Sequence, residues 1–156
     1  MLDVSDHTLE SALRAGRIIA HSQGFSLLAA ASEEYDWSLD MARIAEIWRA
    51  GCIIRAAVLD EIAEAFRQGG PGDPLFLSPV MQDTLRACIP HLRAVVASAV
   101  TQGVPVPALS AALAWFDSMT RARGSANLIQ AQRDIFGRHG FERLDAPGKV
   151  NADWNG

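Results

Sequence analysis

The sequence predicts an all-α fold of about six helices followed by an irregular C-terminal tail. Three observations carry that expectation. Apolar residues recur at spacings of three and four along most of the chain. Ser, Pro and Gly punctuate those runs where helices start and stop. No segment rich in Val, Ile and Thr alternates with period two over more than a few residues. Of the 156 residues, 49% are hydrophobic and 21% charged, a balance that folds around a core and excludes an intrinsically disordered chain.

Ser5 is placed to cap a first helix reaching about Glu34, with Leu9, Leu13, Ile18, Phe25 and Leu28 inward. Gly16 and Gly24 weaken this helix or admit a close neighbour. Tyr35 to Ser38 reads as a break, with Ser38 capping a second helix whose stripe is Met41, Ile44, Ala45 and Trp48; Gly51 interrupts or ends it. Ile54, Val58, Ile62 and Phe66, spaced by four, mark a third helix, and Gln68 to Pro74 a loop. Ser78-Pro79 pairs a capping hydroxyl with a proline at the first helical position. It opens a fourth helix that reaches about Gln102, with a kink expected at Pro90 and a stop at Gly103. Pro107 starts a fifth, with Leu109, Leu113 and Phe116 or Trp115 inward. Gly124-Ser125 precedes a sixth, from about Ala126 to Phe136, and the tail runs from about Gly137. No repeat or interdomain linker is evident, so residues 1–156 read as a single helical domain.

The formal net charge of −4, with no basic run among aromatics, argues against sequence-independent nucleic-acid binding. No apolar run is long enough to span a bilayer, and acids stand where a signal peptide needs bases, so a cytoplasmic protein is expected. Cys52 and Cys88 lie in apolar contexts and read as small packing residues. His21 and His91 have no second ligand at metal spacing, so no metal site is expected.

The chemistry concentrates in Asn127 to His139, which gathers amides, a guanidinium and an imidazole within thirteen residues. Directed donors of this kind suit a polyhydroxylated, phosphorylated ligand. Arg133 offers a fork matched to a phosphate; its ordinary role would be a surface pair with Asp134 or Glu142. His139 lies six residues on, about 600° around an ideal helix, so the two share a face only if the helix ends between them. Gly137 is placed for that break as a left-handed cap. Asn127, Gln130 and Gln132 read as groups bracing the helix, with Gln132 facing inward. Arg49 and Arg55 read as partners of acids such as Glu46 or Asp60.

The stretch Asn-Leu-Ile-Gln-Ala-Gln-Arg-Asp-Ile-Phe-Gly-Arg-His, 127–139, closely resembles the C-terminal signature of the decarboxylating 6-phosphogluconate dehydrogenases. Ser22-Gln-Gly-Phe25, Ala31 to Tyr35 with Trp37, Arg49 to Arg55, Gly103-Val-Pro-Val-Pro107, Ser110 to Ser118 and Trp154 resemble that family in the same order. The match covers nearly the whole chain but about the last third of a family member. The resemblance implies that Arg133 contacts the substrate phosphate and His139 the substrate, both in the neighbouring subunit's site, so a homodimer is expected. It also implies an NADP-dependent oxidative decarboxylation of 6-phosphogluconate to ribulose 5-phosphate. The family's catalytic lysine and glutamate lie before the region covered here. The single lysine is Lys149, and no Gly-x-Gly-x-x-Gly is present. No catalytic residue is therefore expected in this chain, the dinucleotide-binding domain is expected to be absent, and the chain alone is expected to be inactive. The tail departs from the family at Gly140, Phe141 and Asn151-Ala-Asp153. Two alternatives compete: a free-standing helical dimerisation or interaction module derived from the family, and, more weakly, the helical domain of a related β-hydroxyacid dehydrogenase.

Overall fold

The computed structural model describes residues 3–50, 52–69 and 74–154. It comprises two compact units, Met1–Phe116 and Asp117–Gly156. The division falls inside a helix instead of a loop, so no shift in composition marks it.

The first unit begins with α1, Asp6–Glu34, whose N-terminus is closed by Ser5: its side chain accepts from the Thr8 N–H at 3.2 Å. Ile18 and Phe25 are buried as expected, and Leu9 and Leu28 pack partly against the core. Leu13 does not; it is half exposed, because the inward face is taken by Ala12, Ala15 and Gly16. Small residues there permit close approach: a Cβ on Gly16 would lie 2.6 Å from Leu109 Cδ2. Gly24 faces open space.

α2 spans Met41–Arg49. Its cap is Asp40, which accepts from the Arg43 N–H at 3.0 Å, and not Ser38. Ser38 sits at φ 53°, as does Asp36, in the turn where Tyr35 stacks on Trp37; a cap needs the extended backbone that Asp40 supplies. α3, Val58–Gln68, starts later than the four-residue spacing implied, leaving Ile54 outside it and partly exposed. The expected helix stop at Gly51 and the loop residues Gly70 to Asp73 lie outside the described residues. A short 3-10 turn, Leu75–Leu77, buries Leu75 and Phe76; three residues are too few to show a period.

α4, Pro79–Thr101, is capped by Ser78, whose side chain accepts from Met81 N–H, and it continues through Pro90. Its end is a Schellman closure around Gly103 at φ 67°. Val104 N–H reaches the Ala99 carbonyl at 2.8 Å, and Gly103 N–H reaches that of Val100 at 3.3 Å. α5 spans Pro107–Met119, with Ala112 buried and Leu109, Leu113, Trp115 and Phe116 packed on the core; both aromatics pack edge-on to Phe76. α1 packs chiefly on α4, and α2 on α3. Ile18, Ile19, Leu59, Ile62, Met81, Leu92 and Val95 form the centre, with Phe25 meeting Trp48 and Phe66. No helix among the described residues is long and apolar enough to cross a membrane.

The second unit is built on α6, Ala126–Gly137, followed by a small antiparallel hairpin of β1, Phe141–Glu142, and β2, Lys149–Val150. Phe141 pairs with Val150 and Glu142 with Lys149. The tail is therefore more ordered than its sequence implied. Two-residue strands carry no legible alternation, and pairing here is set by the turn, where Gly148 takes φ 95° and Arg143 makes a two-pronged bond to Asp145.

Candidate functional site

The organising residue of the second unit is Asp134. It lies on α6, is 1% exposed, and receives four hydrogen bonds. Oδ1 accepts from Gly140 N–H at 2.9 Å and from the Asn151 side-chain amide; Oδ2 accepts from Ala152 N–H at 2.9 Å and Trp154 Nε1 at 2.8 Å. Burial by itself raises a carboxyl's pKa. Here the bonds from Asn151, Ala152, Trp154 and Gly140 outweigh burial and hold the group well below the usual carboxylate range. The carboxylate is thus ionised and fully satisfied at neutral pH.

These bonds bend the chain back on itself. The Arg138 N–H donates to the Asp134 carbonyl at 2.8 Å, and the Asn151 amide also donates to the Arg138 carbonyl at 2.9 Å. The left-handed residue that ends α6 is Arg138, at φ 50°, and not Gly137, which is the last helical residue. Gly137 has another reason to lack a side chain. A Cβ there would lie 2.7 Å from His139 Nε2 and 2.8 Å from Cδ2, so the imidazole rests directly over it. Gly140, at φ 69°, packs against Lys149 and the Val150 carbonyl.

A cleft of about 700 Å³ opens on this unit, lined on one side by Asn127, Gln130 and Arg133 of α6 and on the other by Phe141, Glu142, Lys149 and Trp154. Arg123 and Leu144 complete its rim. Arg133 is exposed, with Nη1 bonded to Gln130 Oε1 at 3.3 Å. It does not bond to Asp134, whose oxygens are filled by the tail. Three cationic side chains against one carboxylate give the cleft a net positive lining, with the amides of Asn127 and Gln130 beside them; such donors can meet an anion and its hydroxyls.

Of the two residues singled out from sequence, Arg133 lines the cleft and His139 does not; His139 sits on the turn beyond it. Asn127 and Gln130 line the cleft and make only local bonds, Asn127 to the Leu128 N–H. Gln132 is exposed, contrary to the inward placement read from its spacing. The flanking Leu128 and Ile135 are more than half exposed as well, so the face they define is not a core face. Arg49 pairs with Asp60 at 2.9 Å, the ordinary role expected of it. His21 bonds to the Arg17 carbonyl, and His91 meets His7 edge-on. Asp134 was missed as an organiser because a mid-helix acid next to an arginine looks like a surface charge. Its donors come from residues up to twenty positions away.

The chain is similar to known proteins over nearly its whole length. Residues 3–154 match the family model of the 6-phosphogluconate dehydrogenase C-terminal domain. The chain is 48% identical over 150 residues to the decarboxylating 6-phosphogluconate dehydrogenase of Treponema pallidum, covering 95% of this chain and 31% of that protein. It is 46% identical over 146 residues to the NADP(+)-dependent, decarboxylating enzyme of Bacillus subtilis, covering 94% and 31%. Among solved structures, 6-phosphogluconate dehydrogenase of Plasmodium falciparum, studied in its apo form, with NADP+ and with 6-phosphogluconate, superposes with a TM-score of 0.89 at 42% identity, covering 95% of this chain and 32% of that one. The chain thus spans about a third of the length of the relatives it matches. With a match across 3–154 and a shared fold, the chain belongs to the family of the 6-phosphogluconate dehydrogenase C-terminal domain.

Proposed function

We propose that this chain serves as the helical C-terminal part of an NADP-dependent, decarboxylating 6-phosphogluconate dehydrogenase. In that role it supplies dimer surface and substrate-binding residues to the oxidative decarboxylation of 6-phosphogluconate to ribulose 5-phosphate. The observation that carries the reading is Arg133: an exposed guanidinium in a concave cleft, beside the amides of Asn127 and Gln130. Arg133 binds the substrate phosphate, and His139, held on the turn after α6, meets the substrate in the neighbouring subunit's site. The described residues do not fit a dinucleotide, since no glycine-rich turn leads from a strand into a helix. On this reading the chain's part is binding and presentation, and the hydride transfer and the catalytic acid and base belong to the rest of the enzyme. A cytoplasmic setting fits the free thiols of Cys52 and Cys88.

The test is a titration of 6-phosphogluconate into the intact protein and its Arg133→Ala variant. Losing a charge-assisted hydrogen bond costs roughly 1.5–3 kcal/mol, so affinity should fall by roughly 10- to 100-fold. An unchanged dissociation constant would remove the phosphate assignment. A second reading, a non-catalytic dimerisation module, draws on the apolar surface of this unit, where Phe136 is 86% and Leu144 83% exposed. It is favoured if the protein dimerises in sedimentation and binds no sugar phosphate.

A further inference from the structure

Asp134 stands apart from the cleft's lining, yet it fixes both of the parts that make the site. Through Gly140 N–H it holds the residue immediately after His139. Through Asn151, Ala152 and Trp154 it holds the tail, and Trp154 is itself part of the cleft wall. The Asn151 amide reaches both Asp134 Oδ1 and the Arg138 carbonyl, so the turn is held on the side before His139 as well. His139 is therefore clamped between two fixed backbone positions, with its ring over Gly137.

We propose that Asp134 is a positioning residue for this site: its carboxylate holds the turn that presents His139 and the tail segment that walls the cleft, so that ligand affinity depends on an acceptor-only group at position 134. This rests on the functional reading above. The chemistry is selective. Each oxygen faces two N–H donors and no acceptor, so all four contacts need an oxygen. An asparagine is nearly the same size and shape, but in either orientation of its amide it would aim an NH2 at two other N–H groups. Asp134→Asn should therefore disrupt the clamp with little change in volume, separating the effect of the acceptor from that of packing.

The experiment compares 6-phosphogluconate binding by calorimetry in the intact protein and in Asp134→Asn, His139→Ala, the double variant and Arg133→Ala, with circular dichroism to verify helicity. The indole N–H signal of 15N-tryptophan-labelled protein reports the Trp154 bond directly. We expect Asp134→Asn to retain its helices, to shift the Trp154 signal, and to bind about tenfold more weakly, the scale of one lost ligand hydrogen bond. The double variant should lose less than the two single losses combined, because both changes remove the same presented imidazole and only Asp134→Asn also frees the tail wall; a purely structural role would leave the two losses additive. If Arg133→Ala weakens binding while Asp134→Asn binds as the parent does, or if the two losses add, the positioning role is overturned and the functional reading stands. If the parent does not bind 6-phosphogluconate, or Arg133→Ala changes nothing, the functional reading fails and the positioning role with it. Should Asp134→Asn lose its helices, Asn151→Ala removes a donor to both Asp134 and the Arg138 carbonyl, leaves the carboxylate in place and touches no residue of the cleft lining. Weaker binding then supports the clamp, and parental affinity overturns it.

Discussion

The two units are organised by opposite means. Between Asp3 and Phe116 the buried side chains are almost all hydrocarbon, and charge is confined to the rim, where Arg14 pairs with Glu61 and Arg67 with Glu46 and Glu64. Between Asp117 and Trp154 no hydrophobic side chain is buried among the described residues; Asp134 and Gly140 are. The first unit is held by area removed from water, which is non-directional and tolerant of small shifts. The second is held by four directed bonds to one carboxylate, which fix geometry but leave little reserve if one is lost. A region that must present groups at defined positions gains from the second arrangement; a scaffold gains from the first.

Breaking the first unit should have the larger effect. Leu92 is fully buried at its centre, and Leu92→Ala should destabilise the protein by about 2–5 kcal/mol in denaturant titration. The tryptophan signal of Trp154 should be unchanged in the folded variant, because that residue belongs to the polar unit. Acid distinguishes the units next. Asp134 has a lowered pKa in the folded protein, so the unfolded chain takes up a proton before the folded one does as pH falls. Its contribution to stability is complete above the ordinary carboxylate range, near about 4, and is lost as pH drops below that range towards the lowered folded value. The Trp154 indole signal should therefore persist through mildly acidic conditions and be released only below about pH 4. Release between pH 5 and 6 would show that the carboxylate is not the anchor. The smallest effect on stability, and the sharpest on geometry, is expected of Gly137→Ala. Alanine favours helix over glycine by about 1 kcal/mol, which nearly offsets local crowding, yet its methyl would meet the His139 ring. The melting temperature should move little while 6-phosphogluconate affinity drops, and equal affinity would mean that the ring's place over residue 137 is immaterial.

The helices of the apolar unit were legible because burial repeats along the chain: Ser5 and Ser78 cap, Gly103 closes, and Ile62 and Phe66 face inward as their spacing requires. Errors arose where two residues could fill one role. Ser38 and Asp40 both suit a cap, and only backbone angle separates them. Leu13 fits the stripe of α1, but the close approach at Gly16 gives that face to small residues. In the polar unit Arg133 stood out through its neighbours in the chain, and it lines the cleft. Gln132 was placed by an amphipathic rule that a helix without a hydrocarbon core does not obey. Asp134 was illegible as an anchor for a stronger reason. Its role is defined by Gly140, Asn151, Ala152 and Trp154, and no local pattern connects an acid on a helix to donors arriving from a hairpin and a tail. Gly140 and Asn151, two of those donors, lie in the tail, six and seventeen positions beyond the acid they bind.

Lys149 gives the cleft a property of practical use. It is the single lysine of the sequence, and it stands on β2 in the cleft wall. Within these 156 residues an acylating dye or crosslinker meets one lysine amine, and Lys149 lines the same cleft as Arg133. Reagent uptake at Lys149, read by peptide mapping, would then be a footprint of occupancy: on the proposed reading it should fall when an anion is added, and equal uptake would mean that the cleft stays empty.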